Sequence, residues 1–469
     1  MVTNTATNQF AQIGLSSALL ESLARLNYQV PTSIQQQSLP SILKRQDVIA
    51  QASTGSGKTL AFALGILQAL DLKNFRPQAL VICPTRELAD QVAGVFRQLA
   101  RTLPNTKVLS LCGGVPIGPQ IGSLAHGAHV VVGTPGRLEA HLRKRTLKLD
   151  HLQTWVLDEA DRMLDMGFEE AIQQISTYLP KAHQTLLFSA TYPEQIQQLA
   201  QGLMQSPLML EGEALKNQPK IKQQFYLLDD VQAQLQALHV LLVKHRLPSV
   251  LVFCNTKIQT KTVAQYLQTQ GFAALAIHGD LEQWQREEAL VRFANGSINV
   301  LVATDVAARG LDIDNLGLII SFDLAHEHSV HTHRIGRTGR AGQKGLACHL
   351  CTPKDTYRLG TFGFEVAGLF STPLPGKAYL DKHIRPPEKA TIKIDGGKKQ
   401  KLRPGDIVGA LTGHQGVPGD SIGKIDVLAN HTYVAIESNW VKPALRKIHN
   451  DRIKKKAFKA RVLNLSKVL

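Results

Sequence analysis

The stretch A-S-T-G-S-G-K-T, Ala52 to Thr59, follows the apolar D-V-I-A and precedes Leu60, Leu64 and Leu67 at helical spacing. A strand, a glycine-rich loop and a helix in that order make a P-loop. Glycine lets backbone N–H groups curl around phosphates at a helix N-terminus, so the backbone of Ala52, Ser53, Thr54, Gly55, Ser56 and Gly57 is the expected cradle. Lys58 would reach the β- and γ-phosphates and the Thr59 hydroxyl would ligate Mg2+. Ala52 stands where the general pattern has glycine. The rival reading, a Gly/Ser-rich turn, does not account for G-K-T or for its flanks.

About a hundred residues on, T-W-V-L-D-E-A-D ends an apolar run in two carboxylates, Asp158 and Glu159. Asp158 is placed to hold Mg2+ through its hydration shell, and Glu159 to orient or deprotonate the water that attacks the γ-phosphate. Carboxylates at a strand end are commonplace alone; the P-loop upstream favours catalysis. Around both motifs short apolar runs alternate with helical patterns: A-L-V-I-C-P, V-V-V-G-T-P and T-L-L-F-S-A, then S-V-L-V-F-C-N-T, A-A-L-A-I-H-G, I-N-V-L-V-A-T-D and L-G-L-I-I-S-F. That alternation predicts an α/β fold with parallel sheets covered by helices, and ligand sites beyond the strand ends.

The chain has 469 residues, enough for about three domains. Its 53 Lys and Arg exceed 37 Asp and Glu, giving +16, and a basic excess points to a polyanionic partner. From Pro386 onward 17 Lys and Arg face 7 Asp and Glu, so a net +10 sits in the last 84 residues. P-L-P-G at 373–376 and Arg385-Pro386-Pro387 mark a linker, and E-G-E-A-L-K-N-Q-P a weaker break. The expected domains are residues 1–210, 220–375 and 386–469. Five scattered cysteines argue against a disulfide framework. No apolar run is long enough to span a membrane, and no signal or transit peptide is legible, so the expected location is the cytoplasm.

With these residues in view the chain resembles the DEAD-box helicases of superfamily two, named for D-E-A-D, here Asp158 to Asp161. It is similar to them also at P-T-S-I-Q (31–35) with Phe10 upstream, P-T-R-E-L-A (84–89), Gly113-Gly114, T-P-G-R (134–137) and S-A-T (189–191). Further on come V-F-C-N-T (252–256), A-T-D-V-A-A-R-G-L-D-I (303–313) and H-R-I-G-R-T-G-R (333–340). The resemblance implies two RecA-like domains with ATP in the cleft between them and RNA across both. It implies Gln35 on the adenine edge, Phe10 on its face, Asp312 on the ribose, and Arg337 and Arg340 as arginine fingers. RNA contacts map onto Arg86, Gly114, Thr134, Arg137, Thr304 and Arg309, reading backbone rather than bases. Ser189 and Thr191 would couple hydrolysis to closure.

The basic tail reads β-α-β-β-α-β, the order of an RNA-recognition motif, but without the usual aromatic submotifs. Alternation puts Lys393 and Tyr433 on its open sheet face if Ile392, Ile394, Val434 and Ile436 face the helices. In I-D-G-G-K-K, D-I-V-G-A-L-T-G and I-G-K-I-D the tail resembles the appended domain of DbpA-type DEAD-box proteins. That resemblance implies recognition of the peptidyl-transferase-centre hairpin of 23S ribosomal RNA and a role in large-subunit (50S) assembly, and the expected state is a monomer with no membrane partner. The expected RNA-binding residues of the tail are Lys398, Lys399, Lys401, Arg403, Tyr433, Lys454, Lys455 and Lys456. Two functions share these motifs: an ATP-dependent RNA helicase, and a nucleotide-controlled RNA clamp or chaperone that remodels RNA–protein complexes without unwinding. His326, His328, His331 and His333 lack zinc-ligand spacing, and Cys348 and Cys351 are expected as buried thiols on opposite strand faces.

Overall fold

A computed structural model of the chain describes residues 9–52, 55–212, 221–308, 316–339, 345–413, 416–454 and 456–464. Two compact units carry three sheets. In the first unit the strands are β1 (Val48–Gln51), β2 (Ala79–Ile82), β3 (Val108–Leu111), β4 (Val130–Gly133), β5 (Thr154–Asp158), β6 (Gln184–Ser189) and β7 (Leu208–Glu211). They pair in parallel in the order β3-β4-β2-β5-β6-β1-β7. Alternate residues feed two helix-covered cores: Val48, Val81 and Val156 enter one, Ile49, Leu80, Ile82, Trp155 and Leu157 the other. Burial on both faces is why these strands read as unbroken apolar runs.

The second unit holds two sheets. Strands β8 (Lys222–Leu227), β9 (Val250–Cys254), β10 (Ala274–Ile277), β11 (Val300–Thr304), β12 (Leu318–Ser321) and β13 (Leu346–Cys351) form a parallel sheet ordered β10-β11-β9-β12-β13-β8. Strands β14 (Lys389–Ile394), β15 (Ile422–Val427), β16 (Thr432–Glu437) and β17 (Ala460–Val462) form an antiparallel sheet ordered β15-β16-β14-β17. Helices Pro404–Thr412 and Val441–Asn450 complete the expected β-α-β-β-α-β order. Three strands escaped the sequence reading, β3, β7 and β8, and all three are sheet edges. An edge strand is covered less, so V-L-S-L, L-M-L-E and K-Q-Q-F-Y-L carry polar residues that hide the pattern.

One expectation for the tail is corrected. Ile392, Ile394, Val434 and Ile436 do pack on the helices with Ile407, Leu411, Ala444 and Ile448, and Lys393 sits opposite Tyr433 in the register. The other face of the sheet is not open. Lys393 Nζ lies 3.2 Å from Glu288 Oε2 and over the rings of Trp284 and Tyr433, while Asn295 Nδ2 donates to Thr391 Oγ1 at 2.9 Å. Ser297 Oγ meets Thr391 Oγ1 at 2.6 Å, and Arg292 Nη2 donates to the Leu463 carbonyl at 3.3 Å. These partners lie on helix Gln283–Ala294 and the turn after it. Tyr433 is 1% exposed and Lys393 4%, so in this arrangement Tyr433 has no surface to offer RNA.

All five cysteines are buried, with Cys348 and Cys351 in separate clusters. Beside them His349 stacks on Phe225 at 4.5 Å and lies 4.8 Å from His331, whose Nε2 meets Gln223 Oε1 at 3.0 Å. Neither ring nitrogen of His349 has a hydrogen-bond partner among the described residues. Burial, then the neighbouring charges, pushes His331 down to about 4 and His349 well below the usual histidine range. Both rings are neutral when folded, whereas an unfolded chain takes up protons near pH 6.5. Stability should therefore fall as pH drops from about 6.5 toward 4, by on the order of 3 kcal/mol for His331. Urea unfolding of the parent at pH 7 and pH 5, set against His349→Phe, checks this: the variant should lose less stability on acidification.

Candidate functional site

The strand order places the ends of β1, β6 and β5 side by side, and these carry the P-loop, S-A-T and D-E-A-D. Ala52 N donates to the Ser189 carbonyl at 2.8 Å, tying the P-loop to S-A-T by backbone. Gly57, with φ of 95°, caps helix Lys58–Ala69, and a Cβ there would run into the Gln35 amide. Thr32 N donates to Gln35 Oε1 at 2.8 Å, Gln35 Nε2 to the Gly57 carbonyl at 3.0 Å, and Thr32 Oγ1 to the Ser56 carbonyl at 2.8 Å. P-T-S-I-Q is therefore bonded to the loop it was expected to serve. Lys58 is buried, its Nζ donating to the Ala52 carbonyl at 2.8 Å. Ser53 and Thr54 lie outside the described residues.

Asp158 is buried at the end of β5, and its Oδ1 has no hydrogen-bond partner among the described residues. Burial pushes its carboxyl up to about 7, opposed by Lys58 and reinforced by Glu159. An orphaned buried carboxylate oxygen beside the P-loop fits a divalent cation, with Thr59 at the start of the helix as a second donor. Glu159 has φ of 55°, caps helix Ala160–Asp165, and its Oε2 meets Arg162 Nη1 at 2.6 Å. Asp161 makes the link sequence reasoning missed. Its Oδ2 accepts from Ala190 N at 3.1 Å, Thr191 N at 2.9 Å and Thr191 Oγ1 at 3.0 Å. Thr191 is thus bonded to D-E-A-D, whereas the Ser189 hydroxyl finds no partner among the described residues. Phe10, expected against the adenine, is buried and belongs to the hydrophobic core of the first unit.

The other half of the same sheet edge, where β2, β4 and β3 end, gathers the expected RNA contacts. Gly114 has φ of 69° and would clash with Arg86 if it carried a Cβ. Thr134 starts helix Pro135–Arg143, and Arg137 donates to Gln120 Oε1 and to the Val115 carbonyl, both at 2.8 Å. In the second unit Thr304 ends β11 and Arg337 is buried, while Arg309, Asp312 and Arg340 lie outside the described residues. Sequence reasoning also missed Arg334. Its Nε and Nη2 clasp the two Asp305 oxygens at 2.7 Å, Nη2 also reaches Asn255 Oδ1 at 2.7 Å, and Nη1 donates to the Asp323 carbonyl at 2.6 Å. One side chain joins V-F-C-N-T, A-T-D and H-R-I-G-R.

In the tail Lys398, Lys399, Lys401 and Arg403 are exposed on one loop and Lys454 and Lys456 on another. Lys454 ties the two together, donating to the Lys401 carbonyl at 2.9 Å and pairing with Asp406 at 3.0 Å. Lys455 lies outside the described residues.

Comparisons with known proteins decide the family. Residues 32–199 match the DEAD/DEAH box helicase family, 233–342 the helicase conserved C-terminal domain, and 391–462 the DbpA RNA binding domain. The chain is 49% identical over 451 residues to the ATP-dependent RNA helicase DbpA of Escherichia coli K12, covering 96% of this chain and 98% of that one. The chain belongs to the DEAD-box RNA helicases of DbpA type. It is 41% identical over 350 residues to the CshA helicase of Geobacillus kaustophilus, 75% of each chain. Among solved structures it is similar to Saccharomyces cerevisiae Dbp5 bound to RNA and ADP BeF3, with a TM-score of 0.69, 30% identity, and coverage of 78% and 94%. This DEAD-box protein is accordingly an RNA-dependent ATPase and helicase that binds ATP and RNA. No described helix is long and apolar enough to cross a membrane.

Because Arg334 clasps Asp305 with two parallel bonds, lysine cannot replace it. Arg334→Lys should fold yet lose RNA-stimulated ATP turnover by on the order of tenfold or more, since the helix His328–Ile335, which leads directly into Arg337, loses its anchor. Steady-state ATPase assays with a thermal melt check this. Parental turnover in Arg334→Lys would show that the clasp does not position the helix.

Proposed function

We propose that this helicase uses Lys58, Thr59 and Asp158 to hold Mg2+ and the ATP phosphates, and Glu159 to orient and deprotonate the attacking water. The observation that carries this reading is the convergence of the P-loop, S-A-T and D-E-A-D on three adjacent strand ends, pinned by the Asp161 carboxylate. The backbone of Ala52 to Gly57 cradles the phosphates, and Gln35, already bonded to that loop, selects adenine. Mg2+, when bound, shields phosphate charge and keeps Asp158 ionised. Asp312 serves the ribose, and Arg337 and Arg340 supply positive charge to the transferring phosphoryl group. Arg86, Gly114, Thr134, Arg137, Thr304 and Arg309 hold RNA backbone, with Ser189 and Thr191 coupling that contact to hydrolysis.

Through its C-terminal domain the protein recognises the 23S ribosomal RNA hairpin of the peptidyl-transferase centre and unwinds nearby duplex during 50S assembly, as a cytoplasmic monomer. Its working parts are residues 1–210, 220–375 and 386–469. The support is the match to the DbpA RNA binding domain and the basic patch around Lys398, Lys399, Lys401, Arg403 and Lys456. Since Tyr433 is buried, recognition rests on shape and phosphate contact from these loops.

Two measurements test the proposal. Glu159→Gln should keep ATP and RNA binding while hydrolysis falls by on the order of a hundredfold; parental turnover would reject Glu159 as the base. Strand displacement on a duplex flanked by the hairpin should require ATP and should weaken when Lys398, Lys399 and Lys401 are changed together to Gln. Equal displacement of hairpin-bearing and unrelated duplexes by the parent would remove the ribosomal specificity, and hydrolysis with no displacement would favour the clamp.

A further inference from the structure

The opposite edge of the first sheet, where β2, β4 and β5 begin, carries a second concentration of positive charge. Lys73, Arg76, Arg145 and Lys148 line a hollow of about 590 Å³ whose wall contains no Asp or Glu. All four side chains are exposed, and none makes a hydrogen bond or ion pair with a described residue. Phe75, 43% exposed, stands among them with its ring centroid 4.7 Å from that of His129.

The loops that hold these cations are tied down. Asp71 lies outside the lining of the hollow, and its Oδ1 accepts from Lys73 N at 3.0 Å. Gln78, buried beneath, donates to the Asp71 and Asn74 carbonyls at 2.8 Å. Gly127, with φ of 76°, lets the Phe75 backbone pack where a Cβ would clash, and Ala128 N donates to the Phe75 carbonyl at 3.0 Å. After helix Pro135–Arg143, Thr146 N donates to the His141 carbonyl at 3.0 Å and Arg145 N to the Leu142 carbonyl at 2.8 Å.

Four cations without a side-chain partner among the described residues, on braced loops around a hollow lined by no Asp or Glu, repel one another, and a polyanion laid across them relieves that repulsion. Beside an exposed aromatic ring, the fitting occupant is single-stranded RNA, its phosphates on the cations and a base on Phe75. The geometry points to a second RNA-binding surface, made by Lys73, Arg76, Phe75, Arg145 and Lys148, at the sheet edge opposite the ATP and RNA loops. The strands between are four or five residues long, so the two surfaces are separated by roughly 15 Å or more. Only an RNA longer than the core footprint reaches both. This inference rests on RNA being the substrate, and adds a place where flanking RNA is held.

The test uses the full chain and a variant with Lys73, Arg76, Arg145 and Lys148 all changed to Gln, titrated with fluorescent RNA across a salt series. One oligonucleotide covers the core footprint alone and one is several times longer. For the longer RNA the Kd of the variant should rise about tenfold or more, and the slope of log affinity against log salt should flatten by up to about 2.8 units. The short RNA should bind both proteins alike and stimulate ATPase in both. Phe75→Ala should weaken the longer RNA about fivefold or more. Equal affinity and slope for the longer RNA would overturn the site, and so would equal losses for both RNAs, which would report a diffuse field. Polyglutamate and phosphatidylserine vesicles are run as competitors: binding of either that the variant loses while keeping the longer RNA would assign the hollow to that ligand and overturn the RNA reading. If the short RNA stimulated neither protein, the failure would lie in the helicase reading, because binding of the longer RNA is measured apart from hydrolysis.

Discussion

The first domain depends on one carboxylate that stands outside the proposed phosphate contacts. Asp161 collects two backbone N–H groups and a hydroxyl from the end of β6, so the strand that lies between the P-loop strand and the D-E-A-D strand cannot shift without breaking three bonds at once. A carboxylate that accepts several N–H groups is among the stronger hydrogen-bonding arrangements a protein can build. Around that fixed point the sheet edge divides. Strands β1, β6 and β5 end in the P-loop, S-A-T and D-E-A-D, and β2, β4 and β3 end in the loops proposed for RNA backbone, so the two proposed surfaces share one sheet.

The second domain solves the same problem with the opposite charge. Arg334 is buried, yet both Asp305 oxygens, Asn255 and a carbonyl surround its guanidinium. Burying a guanidinium costs several kcal/mol unless its donors are met, and here Nε, Nη1 and Nη2 each have a partner. Its value lies in order rather than in net stability, because it fixes three strand ends and a helix in one relation.

The central strands, the P-loop and the D-E-A-D run were legible because each has its own local cause: unbroken apolar runs buried on both faces, and glycine where backbone must curl. Edge strands β3, β7 and β8 were not, since water on one side permits polar residues that break the alternation. Asp161 and Arg334 stood inside recognised motifs, but Asp161 reaches Thr191 30 residues away and Arg334 reaches Asp305 and Asn255 29 and 79 residues away, and no local pattern announces a bond of that range. Tyr433 was misplaced for another reason. Aromatic identity and strand alternation say which way a side chain points, and say nothing of what comes to cover it. Domain limits, metal ligation and RNA contacts are readings that the sequence suggests and whose tests are chemical.

The buried pairing of Lys393 with Glu288 makes the C-terminal module less portable than its compact fold implies. A chimera that grafts it onto another helicase core would strand a lysine and a tyrosine against an unmatched surface, and the donor core, shorn of its module, would present the buried Glu288 and Arg292 to solvent. Exchange between relatives would then have to move the helix Gln283–Ala294 together with the module, so that the unit of inheritance spans the linker rather than stopping at it.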